Sequence, residues 1–127
     1  MAQQPEFQDV DISYVGLPGW RATEMVAEAD GDPYGLRTGI RRLAGPVDLV
    51  ILMAGTNDLG YEQDSGKIAL PIQTLHQLAL GEPTVAQTLA IGIPPSGYQS
   101  MYADAAAKAR SVNDQLASFA ASDPSRV

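Results

Sequence analysis

The chain has 127 residues, of which 45% are hydrophobic and 18% are charged, and its formal net charge is −7. This length allows one domain with one core, and the composition is typical of globular rather than disordered proteins. The negative charge argues against nucleic acid as a partner, because phosphates would repel it and no basic stripe offsets it. With no cysteine and one histidine, the sequence excludes disulfides and thiol catalysis and predicts no metal or other cofactor.

Membrane and targeting signals are not found in the sequence. No apolar run approaches the roughly 18 residues of a membrane-spanning helix, so we expect no membrane span. Residues 1–6 have no signal-peptide pattern, which leaves the localisation open. We interpret the local basic cluster, Arg37, Arg41 and Arg42, as the solvated face of one helix.

The first predicted element is a strand at residues 9–15, where apolar and polar residues alternate and β-forming types are frequent. It leads into a glycine and proline turn at residues 16–19, which opens a short helix near residues 23–29. A second short helix is predicted near residues 36–44, because a Gly-Pro pair follows it.

The next strand, at residues 47–54, ends in the most informative turn of the chain. Six of the seven residues before Gly55 are apolar, as in a parallel strand that is covered on both faces. Gly55 allows a sharp turn, and Asn57 follows it with an amide NH2 donor. In open α/β sheets, chemistry collects where such strands end. An ordinary Asx turn is the alternative interpretation.

Three further elements complete the prediction: a helix at residues 66–80, a strand at residues 84–93 and a helix near residues 100–121. We interpret Ser65 as the N-cap of the first of these helices. His76 lies at the margin of its apolar stripe and is therefore predicted to be a solvated surface residue. Strands that alternate with helices predict an α/β fold with a parallel sheet.

The order of strand, glycine turn and helix, followed by a strand that ends in Gly-Thr-Asn-Asp, resembles the SGNH (GDSL-type) hydrolase family of esterases and lipases. The resemblance implies that Gly19 matches the glycine of the second family motif and Asn57 the asparagine of the third. In the family, these two residues form an oxyanion hole with the backbone N–H of the nucleophilic serine. Such donors stabilise the charged intermediate of acyl transfer. Gly55 and Asp58 would then support the turn.

The resemblance covers the middle of the family's domain, so we expect residues 1–127 to form a single partial SGNH hydrolase-type domain. The Gly-Asp-Ser motif that supplies the nucleophile and the Asp-x-x-His motif that supplies the base are not found in the sequence. The implied fold is an incomplete flavodoxin-like, three-layer α/β/α arrangement with a small parallel sheet of three strands. A complementing chain could supply the missing strands.

Two functions follow from the resemblance. The first is a fragment of a serine ester hydrolase that acts on a small-molecule ester and is inactive alone, because the nucleophile and the base are missing. The alternative is a non-catalytic module of the same fold that binds an acyl or carbohydrate ligand or a partner chain. Whether the chain by itself is an enzyme is left open, and the residues do not identify the substrate.

Overall fold

The computed structural model describes residues 9–127. These residues form a mixed α/β structure, as the sequence predicts. The elements in chain order are α1 (Ala22–Ala27), α2 (Leu36–Arg42), β1 (Val47–Met53), a 3₁₀ turn (Asn57–Gly60), α3 (Ser65–Leu80), β2 (Val85–Ile91), α4 (Gly97–Met101) and α5 (Ala103–Ser122). No helix in this part of the chain is both long enough and apolar enough to cross a membrane.

The sheet formed by the described residues consists of two parallel strands, β1 and β2. Ile51 of β1 lies opposite Leu89 of β2, and Val50 lies opposite Thr88. Parallel strands need a long crossover connection, and α3 supplies it. The carboxyl ends of both strands therefore lie at the same edge, where the turn that carries Asn57 begins.

The main core lies between the sheet and the helices on one of its faces. Its buried side chains come mostly from α3 and α5, with Ala22 of α1 and Leu59 of the 3₁₀ turn beside them. A smaller cluster lies at the amino ends of the strands and joins Ile40 of α2 to Ala79 and Val85. The helix layer thus fixes α1 and the 3₁₀ turn against the same core.

The opposite face of the sheet is not covered by any described residue. Five large apolar side chains on this face are 42–57% exposed: Leu49, Ile51, Met53, Leu89 and Ile91. In the pairing of the strands, Ile51 and Met53 lie opposite Leu89 and Ile91. Within residues 9–127 the molecule has one helix layer and one sheet. We call this uncovered surface the open face.

The prediction of a strand at residues 9–15 is wrong, so the described part of the sheet has two strands instead of three. Val10, Ile12 and Tyr14 alternate as predicted, but they are 52%, 81% and 92% exposed. A strand needs a neighbour for its backbone groups and a layer that covers its alternate side chains. Neither is present for this segment among residues 9–127, which explains why a favourable pattern does not produce a strand.

The outer edge of β2 is partly occupied by the end of the chain. Thr88 N–H donates to the Arg126 carbonyl at 2.7 Å. The Arg126 guanidinium donates to the carbonyls of Val85 at 3.0 Å and Ala86 at 3.1 Å. These bonds satisfy backbone groups that an edge strand would otherwise leave open.

The beginning of α3 differs by one residue from its prediction. The N-cap is Asp64, whose Oδ1 accepts from Gly66 N–H at 2.8 Å, so the prediction that Ser65 is the cap is wrong. The carboxylate one residue earlier reaches the free N–H of the first turn, which leaves the Ser65 hydroxyl 2.8 Å from Ser111 Oγ on α5. The predicted last helix is also interrupted, because Tyr102 has an extended backbone between α4 and α5.

The three clustered arginines each pair with a carboxylate. Arg37 pairs with Asp30, and Arg42 pairs with Asp32. Arg41 Nε lies 2.8 Å from Glu82 Oε1. The arginines of this cluster therefore connect α2 to neighbouring loops.

Candidate functional site

The segments that contain Gly19 and Asn57 meet at the carboxyl end of β1. Asn57 is the first residue of the 3₁₀ turn, and its Nδ2 donates to the Trp20 carbonyl at 3.0 Å. Trp20 directly follows Gly19, and it is 37 residues from Asn57 in the sequence. The fold therefore brings these two predicted site residues into neighbouring positions.

Gly19 occupies a tight turn that requires glycine. Trp20 N–H donates to the Leu17 carbonyl at 3.2 Å, and Gly19 has φ +82°. With Pro18 before it, this is the pattern of a type II β-turn, in which the third residue has a positive φ. No backbone carbonyl among residues 9–127 accepts a hydrogen bond from Gly19 N–H. This donor is thus available at the surface of the turn.

Asp58 joins the 3₁₀ turn to α1. Its two carboxylate oxygens lie 3.0 and 3.3 Å from the N–H of Ala22, the first residue of α1. A carboxylate at this position also favours the helix electrostatically. Asp58 is buried, and burial raises its pKa, because the charged form loses solvation that the Ala22 N–H only partly replaces. Asp58 therefore holds α1 against the turn that carries Asn57.

Gly55 lies between β1 and the 3₁₀ turn, where both conformation and packing require glycine. Its φ is +106°. A Cβ atom there would lie 2.8 Å from Ile93 Cδ1 and 3.0 Å from Ile72 Cδ1. Because both isoleucines belong to the core, a side chain at position 55 would disturb both the backbone of the turn and the core packing beneath it.

Lys108 of α5 also supports the site, although the sequence analysis did not identify it. Its Nζ donates to the carbonyls of Leu59 at 2.7 Å and Glu62 at 2.8 Å, which lie at and beyond the end of the 3₁₀ turn. These contacts join residues 49 and 46 positions apart. A lysine in an alanine-rich helix looks like an ordinary surface residue, so the sequence carries no local signal of this role.

The prediction that His76 is a solvated surface residue is wrong, because its side chain is fully buried. Its Nδ1 lies 2.7 Å from Thr88 Oγ1 on β2, and its ring centroid lies 5.8 Å from that of Phe119 on α5. α3 is covered on two sides by these elements, so its buried face is wider than its apolar stripe. Burial lowers the pKa of His76, which favours the neutral ring. Nε2 has no hydrogen-bond partner among the described residues.

No serine among the described residues forms a hydrogen bond with His76. Ser65 pairs with Ser111, and Gln115 Nε2 donates to Ser65 Oγ at 3.0 Å. Ser96 is the N-cap of α4. The contact between His76 and Thr88 places a hydroxyl beside an imidazole, but both side chains are buried, so no substrate could reach them.

A groove with a volume of about 560 Å³ opens beside the Gly19 turn. Its lining residues are Pro18, Gly19, Trp20, Glu24, Ala27 and Glu28. Asn57 does not line it, although Asn57 contacts the Trp20 carbonyl. The site therefore consists of a groove lined in part by Gly19 and Trp20, with the Asn57 amide bound to the Trp20 carbonyl beside it.

Comparison with known proteins identifies no relative. No protein-family model, curated protein or solved structure matches the chain. What the chain does must therefore be inferred from its own residues and their geometry.

Proposed function

We propose that this chain is the oxyanion-hole portion of a serine ester hydrolase of the SGNH (GDSL-type) family. The contact that carries the proposal is the 3.0 Å hydrogen bond from Asn57 Nδ2 to the Trp20 carbonyl. It joins the two segments that resemble the second and third motifs of the family. These segments are far apart in the sequence, yet they meet where β1 ends, which is where α/β sheets carry their sites.

The chemistry of the two donors suits this role. In ester hydrolysis, negative charge develops on the former carbonyl oxygen of the substrate. The Asn57 NH2 group has two hydrogens, of which one bonds Trp20, so a second is available together with Gly19 N–H. Donors that are held in place before the reaction stabilise the developing charge, and removing one typically costs about 100- to 1,000-fold in rate.

The proposed fold is part of a flavodoxin-like, three-layer α/β/α arrangement. The parallel pairing of β1 and β2 through α3 supports it, because this is the repeating unit of such folds. The open face also supports it, since a second helix layer would cover these five apolar side chains.

We expect the chain alone to be catalytically silent. Ester hydrolysis by this family requires a serine that is activated by an adjacent histidine. His76 is the single histidine of the chain, and it is buried against Thr88. A purified preparation should therefore hydrolyse p-nitrophenyl acetate no faster than buffer does. Turnover that disappears in His76→Gln would contradict this expectation.

A second function is a non-catalytic module that binds a neutral acyl or carbohydrate ligand. The groove beside Trp20 favours it, because the groove does not depend on a nucleophile. Trp20 is the only tryptophan, so its fluorescence reports on ligands in the groove without interference. Saturable quenching by an N-alkyl amide or an N-acetyl sugar that persists in Asn57→Ala would favour the binding module over the oxyanion site.

A further inference from the structure

We propose that two copies of this chain associate by exchanging residues 10–15, with this segment of each copy pairing with the free edge of β1 in the other. This proposal is independent of the oxyanion site. It rests on three features of the described residues: an unpaired segment with the pattern of a strand, an unpaired strand edge and the open face.

The donor segment has the composition of a strand but no partner strand among residues 9–127. Val10, Ile12 and Tyr14 are spaced so that an extended backbone would place them on one side. Each is more than half exposed, as is Val15 at the end of the segment. Six extended residues span about 20 Å, which is close to the length of a seven-residue strand such as β1.

The acceptor is the edge of β1 that faces away from β2. Among residues 9–127 no strand pairs with this edge. A free edge presents unpaired N–H and C=O groups that a further strand can bind. The outer edge of β2 differs, because Arg126 already binds its backbone there. A strand would therefore add beside β1.

The position of α1 indicates the same edge. Ala22 of α1 belongs to the core cluster formed by α3 and α5, so α1 lies on the same face of the sheet as α3. Crossovers between parallel strands are almost always right-handed. A strand that precedes α1 would therefore lie on the side of β1 away from β2, which is the free edge.

The area argues for a second copy as the occupant. Pairing within one copy would leave the open face uncovered, whereas two copies can cover both the segment and this face. A large side chain exposes roughly 200 Å² when it is fully accessible. Multiplied by the exposed fractions of the five open-face residues and of the four apolar residues of the segment, this gives about 1,000 Å² of accessible apolar surface per copy. A standard stable interface buries about 800 Å² per partner.

The mass of the 127-residue chain in solution tests the proposal, measured by sedimentation velocity from about 1 to 200 μM at physiological salt. We expect a reversible shift from one copy to two, and a stronger association at higher salt, because each copy carries a net charge of −7. The double variant Ile12→Pro, Ser13→Pro should abolish the dimer, since successive N–H groups of a strand point to opposite edges and one of these two must face β1. Ile51→Lys, on the open face, should also abolish it.

Leu70→Lys is the matched control, because Leu70 is 64% exposed on α3 and its loss removes apolar surface away from the sheet. It should dimerise as the original chain does, and all variants should melt as folded chains. Amide hydrogen exchange of residues 10–15 should slow as the dimer forms. A single copy at every concentration, open-ended aggregates, a dimer that survives the double proline variant, or protection of residues 10–15 in a single copy would each overturn the proposal.

Discussion

Replacing Gly55 with alanine should destabilise the fold more than a typical surface substitution, because two separate costs fall on one methyl group. The first cost is conformational. Gly55 has φ +106°, a region that residues with a side chain rarely adopt, and holding such a backbone costs of order 1–3 kcal/mol.

The second cost is steric. The new methyl would lie 2.8 Å from Ile93 Cδ1 and 3.0 Å from Ile72 Cδ1, both within the core. Overpacking of this kind typically costs about 1–3 kcal/mol. The two costs together predict a loss of roughly 2–6 kcal/mol in the free energy of unfolding. This is a large part of the roughly 5–15 kcal/mol that stabilises a typical domain.

Urea unfolding of the purified variant, followed by circular dichroism, measures this loss directly. Gly39→Ala is the matched control: Gly39 lies inside α2, and a Cβ there would meet nothing within 4 Å. This control should gain about 0.5–1 kcal/mol, because alanine favours the helix and restricts the unfolded chain. If Gly55→Ala unfolded within about 0.5 kcal/mol of the original chain, the described turn and its packing would be wrong.

Two further predictions concern buried ionisable groups. Burial lowers the pKa of His76 in the folded chain, whereas the unfolded chain keeps the ordinary histidine pKa of about 6.5. Below about pH 6.5 the unfolded chain therefore binds a proton at this residue that the folded chain does not. The free energy of unfolding should have its full value above that pH and should fall by up to about 1.4 kcal/mol for each pH unit below it. Unfolding between pH 7.5 and 5.5 in an Asp58→Asn background tests this, since the raised pKa of Asp58 acts in the opposite direction; a slope unchanged by His76→Gln would refute it. Asp58→Ala should cost about 1–3 kcal/mol, because the Ala22 N–H loses its acceptor, whereas Asp58→Asn keeps an oxygen there and should cost clearly less. Equal losses in these two variants would show that the carboxylate does not hold α1 by this hydrogen bond.

The elements with the strongest apolar pattern could be predicted from the sequence. The predicted strand at residues 47–54 is confirmed as β1, which ends one residue earlier, and the predicted helix at residues 66–80 differs from α3 by one residue. The buried side of each element is predicted only in part: β1 has the pattern of a strand covered on both faces, but one of its faces is open among residues 9–127, and His76 of α3 is buried instead of solvated. Residues 9–15 have a favourable pattern too, but a strand also depends on a neighbour, which local sequence does not specify.

The candidate site also has residues that the sequence predicts and residues that it does not. A glycine turn and a strand that ends in Gly-Thr-Asn-Asp are local features, so Gly19 and Asn57 could be selected from the sequence, and their roles stay predictions. The burial of His76 depends on Thr88 from β2 and on cover from α5. Lys108 reaches the 3₁₀ turn from a distant helix. Such contacts arise only when elements pack together, and no local pattern reports them.

The most direct test of the oxyanion site is an NMR titration of the isotope-labelled chain with monoethyl methylphosphonate, a tetrahedral anion that resembles the intermediate of ester hydrolysis. Physiological salt should be present to screen the carboxylates of Glu24 and Glu28 beside the groove. We expect saturable shifts of the Gly19 backbone amide and the Asn57 side-chain amide. Asn57→Asp removes the donor and adds a negative charge beside the anion, and the two changes together should weaken binding by about tenfold or more.

Gln73→Glu provides the control, because it makes the same change from amide to carboxylate in the separate groove between α3 and α5. This variant should bind the phosphonate as the original chain does. Shifts at Gly19 and Asn57 that saturate together and are lost only in Asn57→Asp are the predicted result. Shifts elsewhere on the surface, or binding that Asn57→Asp leaves unchanged, would contradict an oxyanion site at Gly19 and Asn57.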